Sequence, residues 1–121
     1  MGTALIVEDS LTDMQVLSSC LQRGGINVLT AQSSEEALTK ISSFPPDIIV
    51  LDVVLPGRSG FELCRELKAQ ANTRSIPIVL CSTKGTEMDR FWGLKQGADA
   101  YLPKPIDQNE LVDIVRRLLQ R

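Results

Sequence analysis

Two short apolar runs constrain the fold more than anything else in the sequence. Ile48–Leu51 reads IIVL and stops at Asp52; Ile76–Cys81 reads IPIVLC and stops at Ser82. Neither alternates polar with apolar residues, so neither suits a strand with one wet face. Such runs belong to strands covered on both sides, as in parallel sheets. Three shorter runs accompany them: Ala4–Val7, which leads into Glu8-Asp9, then Val28–Ala31, and Tyr101-Leu102, which stops at Pro103.

The segments between the runs have helical periodicity. After Ser10, Met14, Leu17, Cys20 and Leu21 recur at spacings of three and four, and Gly24-Gly25 ends the element. Ser33 with Glu36 has the spacing of a capping box for a helix through Ala37, Leu38 and Ile41, which Pro45-Pro46 closes. Ser59 opens a helix through Phe61, Leu63, Cys64 and Leu67. Glu87–Gln96 forms another, with Gly97 as its C-cap. Asp107 and Glu110 repeat the capping-box spacing before Leu111, Ile114, Val115 and Leu118. Arg116, Arg117 and Arg121 follow, near a helix C-terminus where cations are favoured, and read as a solvated face. Strands alternating with helices and joined by short connections predict a doubly wound (βα)5 unit, a five-stranded parallel sheet with helices on both faces. No repeat, low-complexity segment or linker interrupts it, so residues 1–121 are read as one domain.

Composition then excludes several chemistries. The chain has no His, which removes an imidazole base, Ser-His and Cys-His nucleophile pairs, and His-ligated zinc. A net charge of −2 supplies no basic field for nucleic acid. Cys20, Cys64 and Cys81 are widely spaced in apolar stretches and read as reduced core thiols of a reducing compartment. The N-terminal MGTALIVEDS is neither a signal peptide nor a membrane span, so the expectation is a cytoplasmic protein without a membrane partner.

In open parallel sheets, binding groups gather beyond the carboxyl ends of the strands. Glu8, Asp9 and Asp52 all stand there, and three carboxylates in one small site call for a hard cation such as Mg²⁺. Ser82 and Lys104 end the fourth and fifth runs; Lys104 is set between Pro103 and Pro105, and its bond to Pro105 is open to the cis form. A hydroxyl and a cation facing a metal-bearing carboxylate form a receptacle for a phosphoryl group, with Asp52 as the nucleophile that accepts it.

The pair Glu8-Asp9, the segment Asp52-Val53-Val54-Leu55-Pro56-Gly57 with Gly60, the strand end at Ser82, Gly97-Ala98, Tyr101 and Lys104-Pro105 together resemble the receiver domain of response regulators, across essentially the whole chain. The resemblance implies a flavodoxin-like strand order, 2-1-3-4-5. It implies Asp52 as phosphoacceptor, with Glu8, Asp9, Asp52 and the Val54 carbonyl around Mg²⁺. Ser82 and Lys104 would bind the phosphoryl group, and Ser82 and Tyr101 would switch with it. Val54 and Lys84 occupy positions that influence acylphosphate hydrolysis in the family; neither side chain positions a water or acts as a base, which favours a phosphorylated state that is not especially short-lived. Glu8 replaces the commoner Asp, and its longer side chain still reaches a metal.

Residues 82–98 look like those of stand-alone regulators of type IV pilus motility and chemotaxis-like systems. There the surface of the fourth helix, fifth strand and fifth helix meets partners. Trp92 on the fourth helix either packs beneath it or anchors such a partner. Tyr101 is either an inward-turning switch or an edge aromatic with a wet hydroxyl. The implied partners are a sensor histidine kinase or histidine phosphotransfer protein and a downstream protein target, the chain itself being a monomer or weak homodimer. The competing readings are a Mg²⁺-dependent aspartyl phosphohydrolase, disfavoured because no second acid or cap insertion is visible, a transcription factor, for which the chain shows no second helical domain, and a phosphorylation-independent scaffold.

Overall fold

The structure, a computed structural model, describes residues 2–120; Arg121 of the terminal arginine group lies outside the described residues. Its elements run in strict alternation: β1 (Thr3–Val7), α1 (Leu11–Arg23), β2 (Asn27–Ala31), α2 (Ser34–Ser43), β3 (Ile48–Asp52), α3 (Gly60–Ala69), β4 (Ile78–Ser82), α4 (Glu87–Lys95), β5 (Ala100–Pro103) and α5 (Gln108–Leu119). The five strands form one parallel sheet in the order β2-β1-β3-β4-β5. The fold expected from the sequence is therefore the one observed.

Side-chain alternation along each strand divides the core in two. Leu5, Val7, Ile49, Leu51, Ile78, Leu80 and Tyr101 face a cluster completed by Ala37 and Ile41 of α2 and by Leu63, Cys64 and Leu67 of α3. Ala4, Ile6, Ile48, Val50, Val79, Cys81 and Leu102 face the opposite cluster, completed by Met14, Leu17, Cys20 and Leu21 of α1 and Leu111, Val115 and Leu118 of α5. Both faces of the sheet are covered, which is why the central runs carry no polar alternation. In α4 the only buried residue is Gly93.

The local signals resolve with some adjustment. β4 begins at Ile78, two residues later than its apolar run. Pro77 has no N–H to give a ladder, and its carbonyl instead accepts from Ile49. Ser33 and Asp107 cap α2 and α5 by accepting from the N–H of Glu36 and Glu110. The Glu36 carboxylate reaches Gln32 N–H rather than the cap residue's own. The reciprocal capping box is at α4, between Thr86 and Asp89. Gln96 is the C-cap of α4, and Gly97 follows it with φ of +105°. Among the described residues no helix is long and apolar enough to cross a membrane.

Candidate functional site at the carboxyl edge of the sheet

Parallel register brings the ends of β1, β3, β4 and β5 to one edge. Asp52 is the last residue of β3 and pairs with Cys81, one residue before Ser82, while Ser82 pairs with Pro103, one residue before Lys104. Glu8 directly follows β1, and its N–H donates to the Ala31 carbonyl of β2. The Lys104 N–H donates to the Ser82 carbonyl at 2.8 Å, which fixes where the lysine leaves the sheet. Its bond to Pro105 is cis.

The backbone around Asp52 is tightly fitted. The Gly60 N–H donates to the Val53 carbonyl at 2.8 Å, and a Cβ on Gly60 would sit 2.2 Å from the Asp52 carbonyl oxygen. No side chain fits that approach, so glycine there lets α3 start directly against the acidic strand end. The Val54 N–H donates to Asp52 Oδ1 at 3.2 Å and holds the carboxylate's orientation. The Val54 side chain is exposed at the mouth of the site.

Glu8, Asp9 and Asp52 each offer an oxygen, and these lie within 4.8 Å of one another. Asp9 is exposed; the side chains of Glu8 and Asp52 are only 1% and 7% exposed. A set of hard oxygen donors with one open side fits a hard divalent cation, as the sequence reading expected.

Lys104 is the cationic counterpart. Its Nζ is 2.6 Å from Glu8 Oε1, 3.0 Å from Asp13 Oδ2 and 3.3 Å from Asp52 Oδ2, with the side chain 11% exposed. Burial alone would lower its pKa, but the bonds to Glu8 and Asp13 outweigh this and hold it above the ordinary lysine range. It is a permanent cation at neutral pH. Glu8 moves the other way. Burial pushes its carboxyl up to about 7, the bond to Lys104 offsets only part of that, and the Asp52 carboxylate adds to the rise.

Ser82 is fully buried and its hydroxyl accepts from the Lys84 N–H at 3.0 Å. Lys84 itself projects to solvent. The Tyr101 hydroxyl donates to the Lys84 carbonyl, so this ring is buried and its hydroxyl bonded, in contrast to the wet edge aromatic. The same short loop thus connects Ser82 to Tyr101 through Lys84's two backbone groups. Arg90 of α4 lies over the Tyr101 ring, 6.0 Å from its centroid, and donates to its carbonyl at 3.2 Å. A Cβ on Gly93 would come within 2.7 Å of the ring, so α4 packs against Tyr101 only where a side chain is missing. Trp92 does not pack beneath the helix: it is 48% exposed, in company with exposed Met88, Phe91 and Leu94.

The sequence reading singles out Glu8, Asp9, Asp52 and Lys104, which the structure brings together, and Ser82, which stands at the same edge. It misses Asp13, a third carboxylate on Lys104. The available signal was modest: an acid three residues after the helix-capping Ser10, on the helix that follows the acidic pair.

Comparison with known proteins agrees with the geometry. The family described as "Response regulator receiver domain" matches residues 4–116. Protein PilH of Pseudomonas aeruginosa is 37% identical over 119 residues, covering 98% of both chains. The phosphate regulon transcriptional regulatory protein PhoB of the same organism is 39% identical over 119 residues, and this chain spans 52% of its length. A response regulator from Chloroflexus aurantiacus superposes with a TM-score of 0.95 at 37% identity, covering 99% of this chain and 98% of that one.

Proposed function

The chain belongs to the response regulator receiver domain family, a group of phosphoacceptor modules rather than enzymes, and on that premise we propose that Asp52 takes a phosphoryl group from a phosphohistidine on a partner protein. The observation that carries the assignment is the setting of Asp52. It is a nearly buried carboxylate, oriented by the Val54 N–H, with a permanent cation 3.3 Å away and two further acids beside it. In the transfer an Asp52 oxygen bonds to phosphorus as the P–N bond breaks, and the electron pair returns to the partner's imidazole. The absence of His from this chain is consistent with that division of labour.

Glu8, Asp9, Asp52 and the Val54 carbonyl are the groups proposed to hold Mg²⁺. When bound, the ion supplies positive charge against the entering phosphoryl oxygens. Lys104 donates to one phosphoryl oxygen. Ser82 donates to another once its hydroxyl turns from the Lys84 N–H, and that turn loosens the loop that also holds Tyr101. The consequence reaches α4, whose exposed Met88, Phe91 and Trp92 form, with Tyr101 beneath, the proposed partner surface. Val54 and Lys84 are proposed to leave the acylphosphate fairly long-lived.

We read residues 1–121 as a single receiver domain that serves pilus motility or chemotaxis-like signalling. PilH, matched along 98% of its length, supports this reading. The test is incubation with Mg²⁺ and acetyl phosphate, followed by intact-mass measurement. The expected result is an alkali-labile phosphoryl adduct that Asp52→Asn abolishes. An adduct that persists in Asp52→Asn refutes the assignment, and no uptake from either a small donor or a cognate kinase favours a scaffold.

A further inference from the structure

Asp13 stands outside the acidic cluster yet shares its cation. It occupies the first turn of α1, where the Ser10 hydroxyl caps the helix by accepting from the Asp13 N–H at 3.3 Å. Its side chain turns to Lys104, with Oδ2 3.0 Å from Nζ, and is 46% exposed. A lysine ammonium has three N–H donors. Glu8, Asp13 and Asp52 take one each, so no donor of Lys104 is left over for a phosphoryl oxygen.

We propose that Asp13 is a positioning residue that restrains phosphoryl capture by occupying a Lys104 N–H that a phosphoryl oxygen would otherwise take. The inference rests on the reading of Asp52 as phosphoacceptor. Three observations lead to it. Nζ bonds Asp13 at 3.0 Å and Asp52 at 3.3 Å, so Asp13 shares with the nucleophile the ammonium that phosphoryl capture needs. Glu8 and Asp52 belong to the oxygen cluster, which leaves Asp13, among the described residues, as the ion-pair partner of Lys104 with no part in it. Asp13 also adds a fourth carboxylate at the entrance of a site that must admit a phosphate dianion, and like charges at this range repel.

Asp13 also has room to let go. A cleft of about 300 Å³ lies beside the ion pair, lined by Asp13, Val16, Lys104 and Ile106 among others. The carboxylate can turn into water there, and its partial exposure makes release cheap compared with that of the buried Glu8. Phosphoryl uptake then proceeds by exchange: the Asp13 oxygen leaves one Lys104 N–H, and a phosphoryl oxygen takes its place.

The test compares wild type with Asp13→Asn, Asp13→Ala and Asp13→Glu in saturating Mg²⁺, over a range of acetyl phosphate concentrations. In each reaction an Asp52 oxygen bonds to phosphorus as the P–O bond to acetate breaks, and acetate leaves with the electron pair. Release of one half-exposed ion pair predicts an uptake rate constant raised about fivefold in Asp13→Asn and Asp13→Ala. Asp13→Glu should return to the wild-type rate, because the charge is restored. Added salt should narrow the gap between wild type and Asp13→Asn, since it screens the carboxylate being tested. A purely structural role would lower the melting temperature without accelerating uptake. Wild-type uptake with Asp13→Asn equal or slower overturns the restraint while leaving the Asp52 reading intact. A wild-type chain that takes up no phosphoryl group, from acetyl phosphate or from a cognate kinase, overturns both.

Discussion

Lys104 and Glu8 share the shortest of the three ion pairs at the sheet edge, 2.6 Å from Nζ to Oε1, shorter than the 3.3 Å pair between Lys104 and Asp52, the proposed phosphoacceptor. The site is therefore held together by a contact with which the proposed Mg²⁺ would compete. Glu8 would divide its carboxylate between the lysine it already holds and the proposed metal ion.

Removing the lysine should expose that dependence. Lys104→Ala leaves the Glu8 and Asp52 carboxylates buried without a countercharge, and breaking a buried pair from one side ordinarily costs about 3–5 kcal/mol. Glu8 can take up a proton, so a loss of about 2–3 kcal/mol is expected at neutral pH in urea unfolding without metal. Mg²⁺ should recover part of it. An unchanged midpoint would show that the three ion pairs contribute nothing net.

Glu8 sets a pH dependence of stability. Its carboxyl lies near 7 in the folded, metal-free chain, above its ordinary 4.5, so the folded state holds this proton more tightly than the unfolded chain. That contribution is complete below about pH 4.5 and is lost as pH rises through about 7. Thermal melting of the metal-free protein should show a fall across this window that is missing from Glu8→Gln. Mg²⁺ should stabilise the wild type most at the upper end, where the carboxylate is ionised. Parallel profiles for wild type and Glu8→Gln would count against the shift.

Gly60→Ala tests the closeness of α3 to the nucleophile's backbone. The added methyl meets the Asp52 carbonyl oxygen at 2.2 Å, and backbone cannot swing aside as a flexible side chain does. A destabilisation of about 1–3 kcal/mol is expected, the usual cost of overpacking. Phosphoryl uptake should fall with it because the Asp52 backbone must shift. Wild-type behaviour in both measurements would contradict the contact.

The cysteines should be silent in the native chain. Burial pushes Cys64 up to about 11 and Cys81 up to about 12, and Cys20 is raised as well. All three thiols are free and buried. At pH 8 an aromatic disulfide reagent should find no fast-reacting thiol until denaturant is added, when three should appear. A rapid phase in the folded protein would show that one of these positions opens to solvent.

Much of this was legible because the strands carry unambiguous information. An apolar run that ends abruptly in an acid, hydroxyl or lysine reports both burial on two faces and the chemistry at its end, and Asp52, Ser82 and Lys104 were all placed that way. Asp13 was not, because its partner lies 91 residues away and meets it only when the first turn of α1 and the residue after β5 come to the same edge of the sheet. Trp92 was ambiguous for a different reason. Met88, Phe91 and Trp92 recur at spacings of three and four, the pattern of a helix's inward face, yet all three are exposed, so here periodicity points to a surface and not to the core. Tyr101 was found by its position, but its hydroxyl bond depends on where the loop turns after Ser82, and that turn leaves no pattern in the residue types.

The single buried position of α4 has a consequence for how the protein can vary over generations. At the buried positions of the other helices a change of side chain must be absorbed by the interior, and most such changes destabilise for that reason alone. On α4 the positions other than Gly93, the capping Asp89 and Arg90 against Tyr101 can be rewritten without disturbing the interior, because surface substitutions away from such contacts rarely move stability by more than about 0.5 kcal/mol. New recognition faces can thus be tried on this helix one residue at a time, while the chemistry of the acidic edge is left as it was.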